Sequence, residues 1–182
     1  MGKIINSTYV SLDGVQAEPQ EWSLAYFNDE AGAFASEMLY GADAMLMGRR
    51  TYEGFAKSWT PRTGDFADRF NSMPKYVAST TLSTLMWNNS QLIEGDLVSE
   101  VARIKERENL IMYGYGPVGR ALLEAGVLDE LRVWIHPEIV GRHGADGLLF
   151  HSGSAVKLDL ADVRTFATGV IVATYVPKHP SA

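Results

Sequence analysis

The sequence predicts an α/β fold: a mixed, mostly parallel central sheet with helices on both faces and a C-terminal antiparallel hairpin. Three observations predict it. Ala44–Met47 and Leu110–Tyr113 are short, continuously apolar or aromatic runs, as expected of strands covered on both faces. Each run leads through glycine into a helical stretch, and the second continues into another strand, which makes a βαβ unit. The chain then closes with two strand-like segments, 156–166 and 168–176, joined by a turn at Thr168-Gly169.

The elements follow in order. Lys3 to Val10 reads as a strand with Ile4, Asn6, Thr8 and Val10 on one face and Ile5, Ser7 and Tyr9 on the other, and Ser11-Leu12-Asp13-Gly14 turns the chain. Asn28 is an N-cap for a helix carrying Ala31, Phe34, Ala35 and Met38, with Phe27 placed as a hydrophobic staple and Gly41 as the stop. Gly48-Arg49-Arg50-Thr51 leads from the Ala44–Met47 strand into a helix through Phe55. Residues 56–74 are the most loop-like region, with a short helix over Asp65–Asn71. Lys75–Ser79 is another strand, and Asp96 caps a helix bearing Leu97, Val101 and Ile104. After Leu110–Tyr113 come Gly114 and Gly116, then Pro117, whose fixed φ and missing donor suit a first helical position. Val118, Ala121, Leu122 and Ala125 form one stripe, Gly126 closes the helix, and Leu131, Val133 and Ile135 alternate as the next strand.

At 182 residues the chain fits a single domain, 1–182, large enough to bury a core without staples. It has no cysteine, which excludes disulfides, thiol nucleophiles and thiolate metal sites and fits a reducing, cytoplasmic setting. A net charge of −6 argues against a nucleic-acid surface, and no apolar run approaches membrane-spanning length. His136, His143, Asp146 and His151 match no metal-ligand spacing, and no G-x-S-x-G elbow occurs, so neither metal nor serine hydrolase chemistry is expected.

In open α/β sheets ligands bind beyond the carboxyl ends of the parallel strands. Three such ends are polar or glycine-rich: Gly48-Arg49-Arg50-Thr51, Ser79-Thr80-Thr81 and Gly114-Tyr115-Gly116, the last running into Pro117 and Val118. Guanidinium groups take phosphate bidentately, hydroxyls donate to it, and free amides at helix starts meet a pyrophosphate. The set suits a phosphate-rich dinucleotide. An arginine pair at a helix start also opposes the helix dipole, which a bound anion would offset. Residues 114–119 match G-x-G-x-x-G literally, but too little chain follows for a doubly wound half.

With these residues in place, the chain resembles the dihydrofolate reductase-like family, in the branch of the reductase domain of riboflavin biosynthesis enzymes and its stand-alone bacterial relatives. The resemblance rests on Ser11-Leu12-Asp13-Gly14, Met47-Gly48-Arg49-Arg50-Thr51-Tyr52, Pro74-Lys75-Tyr76-Val77, Gly114-Tyr115-Gly116, Val127-Leu128-Asp129-Glu130-Leu131, Ile135-His136-Pro137 and Leu148-Leu149-Phe150, in that order. It implies a three-layer fold, NADPH across the strand ends, and hydride transfer to a pyrimidine, pterin or similar heterocycle. Arg49, Arg50, Thr51, Ser79, Thr80 and Thr81 would surround the 2′-phosphate and pyrophosphate. Gly48 and Gly114 to Val118 would complete the cradle, and Ser11 to Gly14 would lie against the nicotinamide. The family often pairs through sheet edges, so a homodimer is expected. Two departures stand out. Tyr115 replaces a smaller residue and is expected to cover part of the cofactor site. Gly32 stands where dihydrofolate reductases carry an acid on the first helix, leaving Asp13, Asp29 and Glu30 as candidate acids. Asp13 before Gly14 suits turn chemistry equally well. Trp22, Tyr26 and Tyr52 are candidates for an aromatic wall against a flat substrate. The alternative is an NADP(H)-binding protein without efficient turnover, a sensor or scaffold.

Overall fold

The computed structural model describes residues 1–178; residues 179–182 of the expected domain lie outside the described residues. Eight strands form one sheet: β1 Ile4–Ser11, β2 Ala44–Gly48, β3 Lys75–Ala78, β4 Ser90–Leu92, β5 Leu110–Tyr113, β6 Glu130–His136, β7 Leu158–Thr165 and β8 Ile171–Pro177. Their order is β4-β3-β2-β5-β1-β6-β8-β7. The pairs from β4 to β6 are parallel, and β8 and β7 add antiparallel at the end. The expected fold class is observed.

The helices are α1 Asp29–Tyr40, α2 Arg49–Trp59, α3 Asp65–Ser72, α4 Leu97–Lys105 and α5 Pro117–Glu124. Their apolar stripes divide between two cores, one on each face of the sheet. Phe34 and Met38 of α1, Tyr52 of α2 and Phe70 of α3 pack with Met45, Met47, Ile111 and Trp134. Val101 and Ile104 of α4 and Leu122 and Leu123 of α5 pack with Ile4, Leu46, Leu110 and Met112 on the other face. The alternation Leu110, Met112 against Ile111 is the period of a strand with both faces covered. Ala44 to Met47 are 0–2% exposed, and burying each large apolar side chain contributes about 1.5–3 kcal/mol.

Caps behave as the sequence predicts at two helices: Asn28 accepts from the Ala31 amide at 3.0 Å and Asp96 from the Ser99 amide at 2.9 Å. The expected staple is not made in its usual form. The ring of Phe27 lies over Gly32, which has no side chain to meet it, and remains half exposed. Helix α2 runs four residues beyond Phe55, and β4, with only three residues, has no sequence pattern long enough to reveal it. The terminal hairpin turns at 166–170, where Phe166 and Val170 pair and Gly169 adopts φ +86°.

Candidate cofactor and substrate site

Strands β3, β2, β5, β1 and β6 are neighbours and parallel, so their carboxyl ends form one rim. The three sequence segments expected to meet a dinucleotide therefore lie side by side. Gly48 is the N-cap of α2 and Gly116 that of α5, and neither end carries a side-chain cap. The first-turn amides of both helices are left for another acceptor. A Cβ at Gly48 would lie 3.3 Å from Val118 Cγ2, so the two helix starts touch. Gly114 adopts φ +75°, and a Cβ at Gly114 or Gly116 would meet nothing within 4 Å. The loop thus presents open backbone to the rim, a space that side chains would fill.

Arg49 and Arg50 are exposed on the first turn of α2. Arg49 is oriented by two contacts: Nη1 donates to Thr81 Oγ1 at 2.8 Å and Nε to Glu53 Oε1 at 3.0 Å. The ion pair is half exposed and is worth at most about 1 kcal/mol. Its effect is positional, carrying the guanidinium from β2 across to the end of β3. Ser79 Oγ accepts from the Thr81 and Leu82 amides and shapes that turn, while Thr80 is exposed and Thr51 half-buried. Two exposed guanidinium groups, uncapped amides and hydroxyls fit the phosphates of a dinucleotide.

Tyr115 does not cover this cradle. Its side chain is 7% exposed and packs in the core of the α4–α5 face, against the first turn of α5 at Gly119 and edge-on to Phe150. Strict alternation would set Tyr115 on the Ile111 and Tyr113 face, but Gly114 at φ +75° breaks the strand and turns Tyr115 into the core that holds Leu110 and Met112.

The candidate acids are also redirected. Asp13 Oδ1 accepts from Ser11 Oγ at 2.5 Å and from the Val140 amide at 3.1 Å, and Oδ2 from the Gly141 amide at 2.8 Å. The Ser11 hydrogen bond first, with the Gly141 and Val140 amides, lowers its pKa to about 2. Asp13 is an ionised brace between the end of β1 and the loop after β6, with no proton to deliver at neutral pH. Glu30 accepts from the Ala167 amide at 2.7 Å and from Asn28 Nδ2 at 3.0 Å, contacts that also hold its pKa down, so it ties α1 to the terminal hairpin. Asp29 is exposed and makes no hydrogen bond among the described residues.

Of the aromatic wall, Trp22 and Tyr26 come together around His136, at ring distances of 5.2 and 5.8 Å and near-perpendicular. Tyr9 closes a third side at 4.9 Å. Burial lowers the His136 pKa, favouring the neutral ring, whose Nδ1 lies 3.0 Å from the Trp134 carbonyl. Tyr52 does not join them. It is 4% exposed in the α2 core, and its hydroxyl accepts from the Trp87 amide at 2.8 Å.

Two residues at the rim escape the sequence reading. Asn6 is fully buried in β1 and donates from Nδ2 to the Gly114 carbonyl at 2.9 Å. Glu138 receives the Tyr26 hydroxyl on Oε2 at 2.6 Å. Asn6 had a signal, an amide on the strand face it shares with Ile4, Thr8 and Val10; Glu138, two residues past the strand end, is the nearest acid to that end, with no local pattern to mark it for a ligand. Among the described residues no group of three or more histidine and acidic side chains could hold a metal ion, and no helix is long and apolar enough to cross a membrane.

The profile of the RibD C-terminal domain family matches residues 2–172. The chain is 24% identical over 182 residues to the uncharacterized protein YyaP of Bacillus subtilis (strain 168), covering 95% of this chain and 94% of that one. A Shewanella sp. PV-4 protein assigned to riboflavin biosynthesis superposes with a TM-score of 0.77 at 20% identity, over 97% of this chain and 99% of that chain. The Thermotoga maritima diaminohydroxyphosphoribosylaminopyrimidine deaminase/5-amino-6-(5-phosphoribosylamino)uracil reductase superposes with a TM-score of 0.68 at 14% identity, over 97% of this chain and 57% of that longer one. At these identities the structural likeness establishes the shared fold.

Proposed function

Because the chain belongs to the RibD C-terminal domain family, we propose that it is an NADPH-dependent reductase acting on a pyrimidine, pterin or similar planar heterocycle. The observation that carries this reading is the rim itself: open backbone at Gly114 and Gly116, two helix starts without side-chain caps, and the exposed Arg49–Arg50 pair at the ends of neighbouring strands. In the proposed complex the α2 and α5 amides bind the pyrophosphate, and Arg49, Arg50, Ser79, Thr80 and Thr81 bind the adenosine-side phosphate. Bound NADPH supplies a hydride. The Ser11–Gly14 turn, braced by Asp13, supports the nicotinamide side, and Trp22, Tyr26 and His136 exclude water beside it.

A second reading has its own observation. Asp13 and Glu30 are both committed to backbone amides, so none of the expected acids is anchored as a proton donor. An NADP(H)-binding protein without efficient turnover would have the same cradle. Calorimetric titration with NADPH and NADH, followed by NADPH oxidation over a panel beginning with amino-substituted uracils, separates the two. Turnover supports the reductase; tight NADPH binding without turnover supports the binding protein; no nucleotide binding refutes both.

We also propose a homodimer formed through the terminal hairpin, in a cytoplasmic setting suited to an NADPH-dependent enzyme. Leu160, Val163 and Ile171 share one face of β7–β8 and are 58, 47 and 39% exposed, an apolar stripe beside an open edge strand. Light scattering at micromolar concentration should give twice the chain mass, and a monomeric mass refutes the pairing.

A further inference from the structure

The rim carries one carboxylate that is anchored yet still has an oxygen to offer. Glu138 sits two residues beyond β6. Its amide donates to the His136 carbonyl at 2.8 Å, folding the chain tightly back, and its carbonyl accepts from the Leu12 amide at 2.8 Å, which fastens it to the end of β1. The Tyr26 hydroxyl lies 2.6 Å from Oε2 and 3.3 Å from the Pro137 carbonyl, so it fixes the side chain. Among the described residues, Oε1 accepts no hydrogen bond and no cation lies within salt-bridge distance of Glu138. The side chain is half-buried and hydrogen-bonded to Tyr26, whose ring meets that of His136 edge-on, as the Trp22 ring also does.

Its neighbours sharpen the contrast. Asp13 spends both oxygens on the Ser11 hydroxyl and the Val140 and Gly141 amides, Glu30 is tied through Oε2 to Asn28 and to the Ala167 amide of the terminal hairpin, and Asp29 is exposed with nothing to orient its side chain. Strand β6 adjoins β1 and β1 adjoins β5. At about 4.8 Å per strand the Glu138 end of the rim lies roughly 10 Å across from the Gly114 loop, room for a flat ring between them.

We propose that Glu138, oriented by Tyr26, binds the N–H edge of the substrate and selects heterocycles that present an amino group next to a ring nitrogen. A fixed carboxylate receives two parallel N–H donors from a flat ring, the amino N–H and the N–H of the adjacent ring nitrogen in its protonated form, which the negative charge favours, and the charge-assisted pair discriminates against rings of the same shape without donors. Tyr26 is a positioning residue. The inference rests on the heterocycle-reductase reading and assigns that site its specificity.

The test uses 2,4-diaminopyrimidine and 2,4-dimethylpyrimidine, alike in shape but not in donors, titrated calorimetrically into the intact protein with and without saturating NADPH. The wild type should prefer the diamino compound by about tenfold or more, and Glu138→Gln should abolish that preference while leaving NADPH affinity and dimethylpyrimidine affinity unchanged. Tyr26→Phe keeps the carboxylate and should retain part of the preference. If Glu138→Gln fails to fold, Glu138→Asp, which keeps the charge but withdraws it by one methylene, should lower the preference instead. A clamp of purely structural importance would lower the melting temperature of these variants without altering discrimination, which would overturn the proposal, as would a wild type that shows no preference. A preference retained in a protein that fails to bind NADPH would sink the reductase reading and leave the Glu138 site standing.

Discussion

Asn6 donates from Nδ2 to the carbonyl of Gly114 at 2.9 Å, and so joins the centre of the sheet to the loop that forms the cradle. The Gly114 amide is held in turn by the Ser7 carbonyl at 2.8 Å, so both polar groups of this glycine are fixed from β1. A loop at φ +75° keeps its shape only if its peptides are held, because glycine alone would sample many conformations. Asn6→Ala removes the side-chain donor to the Gly114 carbonyl and empties a fully buried position, and should cost about 1–3 kcal/mol in urea unfolding. NADPH affinity should fall with it. Unchanged stability would show that Asn6 does not hold the loop.

Arg49 and Arg50 are expected to contribute unequally. Arg49 already spans β2 and β3 through Thr81, whereas Arg50 has no side-chain hydrogen bond among the described residues. A pre-oriented guanidinium loses less freedom when it binds phosphate. Arg49→Ala should therefore weaken NADPH binding by about tenfold or more and Arg50→Ala by less, with NADH binding little changed in either. Equal losses for both nucleotides would place these arginines away from the 2′-phosphate.

Asp13 gives the fold a defined acid sensitivity. Its pKa is lowered to about 2, chiefly by the Ser11 hydroxyl, whereas an unfolded aspartate titrates near about 3.9. The stabilisation it brings is complete above the unfolded value and disappears as pH falls through the folded one. Asp13→Asn should thus melt below the wild type at pH 6, and the gap should narrow between about pH 4 and pH 2. A gap independent of pH would mean that the charge of Asp13 is not what braces the loop.

The sheet, its helices and the cradle glycines were legible because each depends on local chemistry: apolar runs, caps, Pro117 after Gly116. What the sequence concealed depends on partners far along the chain. Asp13 reads equally as a turn residue or an acid until Val140 and Gly141 arrive beneath it. Tyr52 and Tyr26 look alike in sequence, but one faces Trp87 in the core and the other reaches Glu138 at the rim. Lys75 opens a strand, where a lysine is ordinarily exposed, yet it is fully buried, donating to the carbonyls of Asn71, Met73 and Asn88 above the ring of Trp87. Tertiary contact overrides local preference at such positions.

Tyr113 ends β5, one residue before the cradle, and its hydroxyl is buried without a partner among the described residues. The ring packs against Phe55 and Phe70 at 5.8 and 5.5 Å, and burial pushes its ionisation above that of an ordinary phenol. A buried donor without an acceptor costs stability, while phenylalanine keeps the ring and its aromatic contacts. Tyr113→Phe should therefore leave the urea midpoint unchanged or raise stability by about 1 kcal/mol. A clear loss of stability would reveal a hydrogen bond that holds the hydroxyl in solution. A more stable variant would instead mean that this tyrosine is retained against the interest of the fold, and comparing NADPH oxidation in the two proteins would then show whether the hydroxyl serves the site next to it.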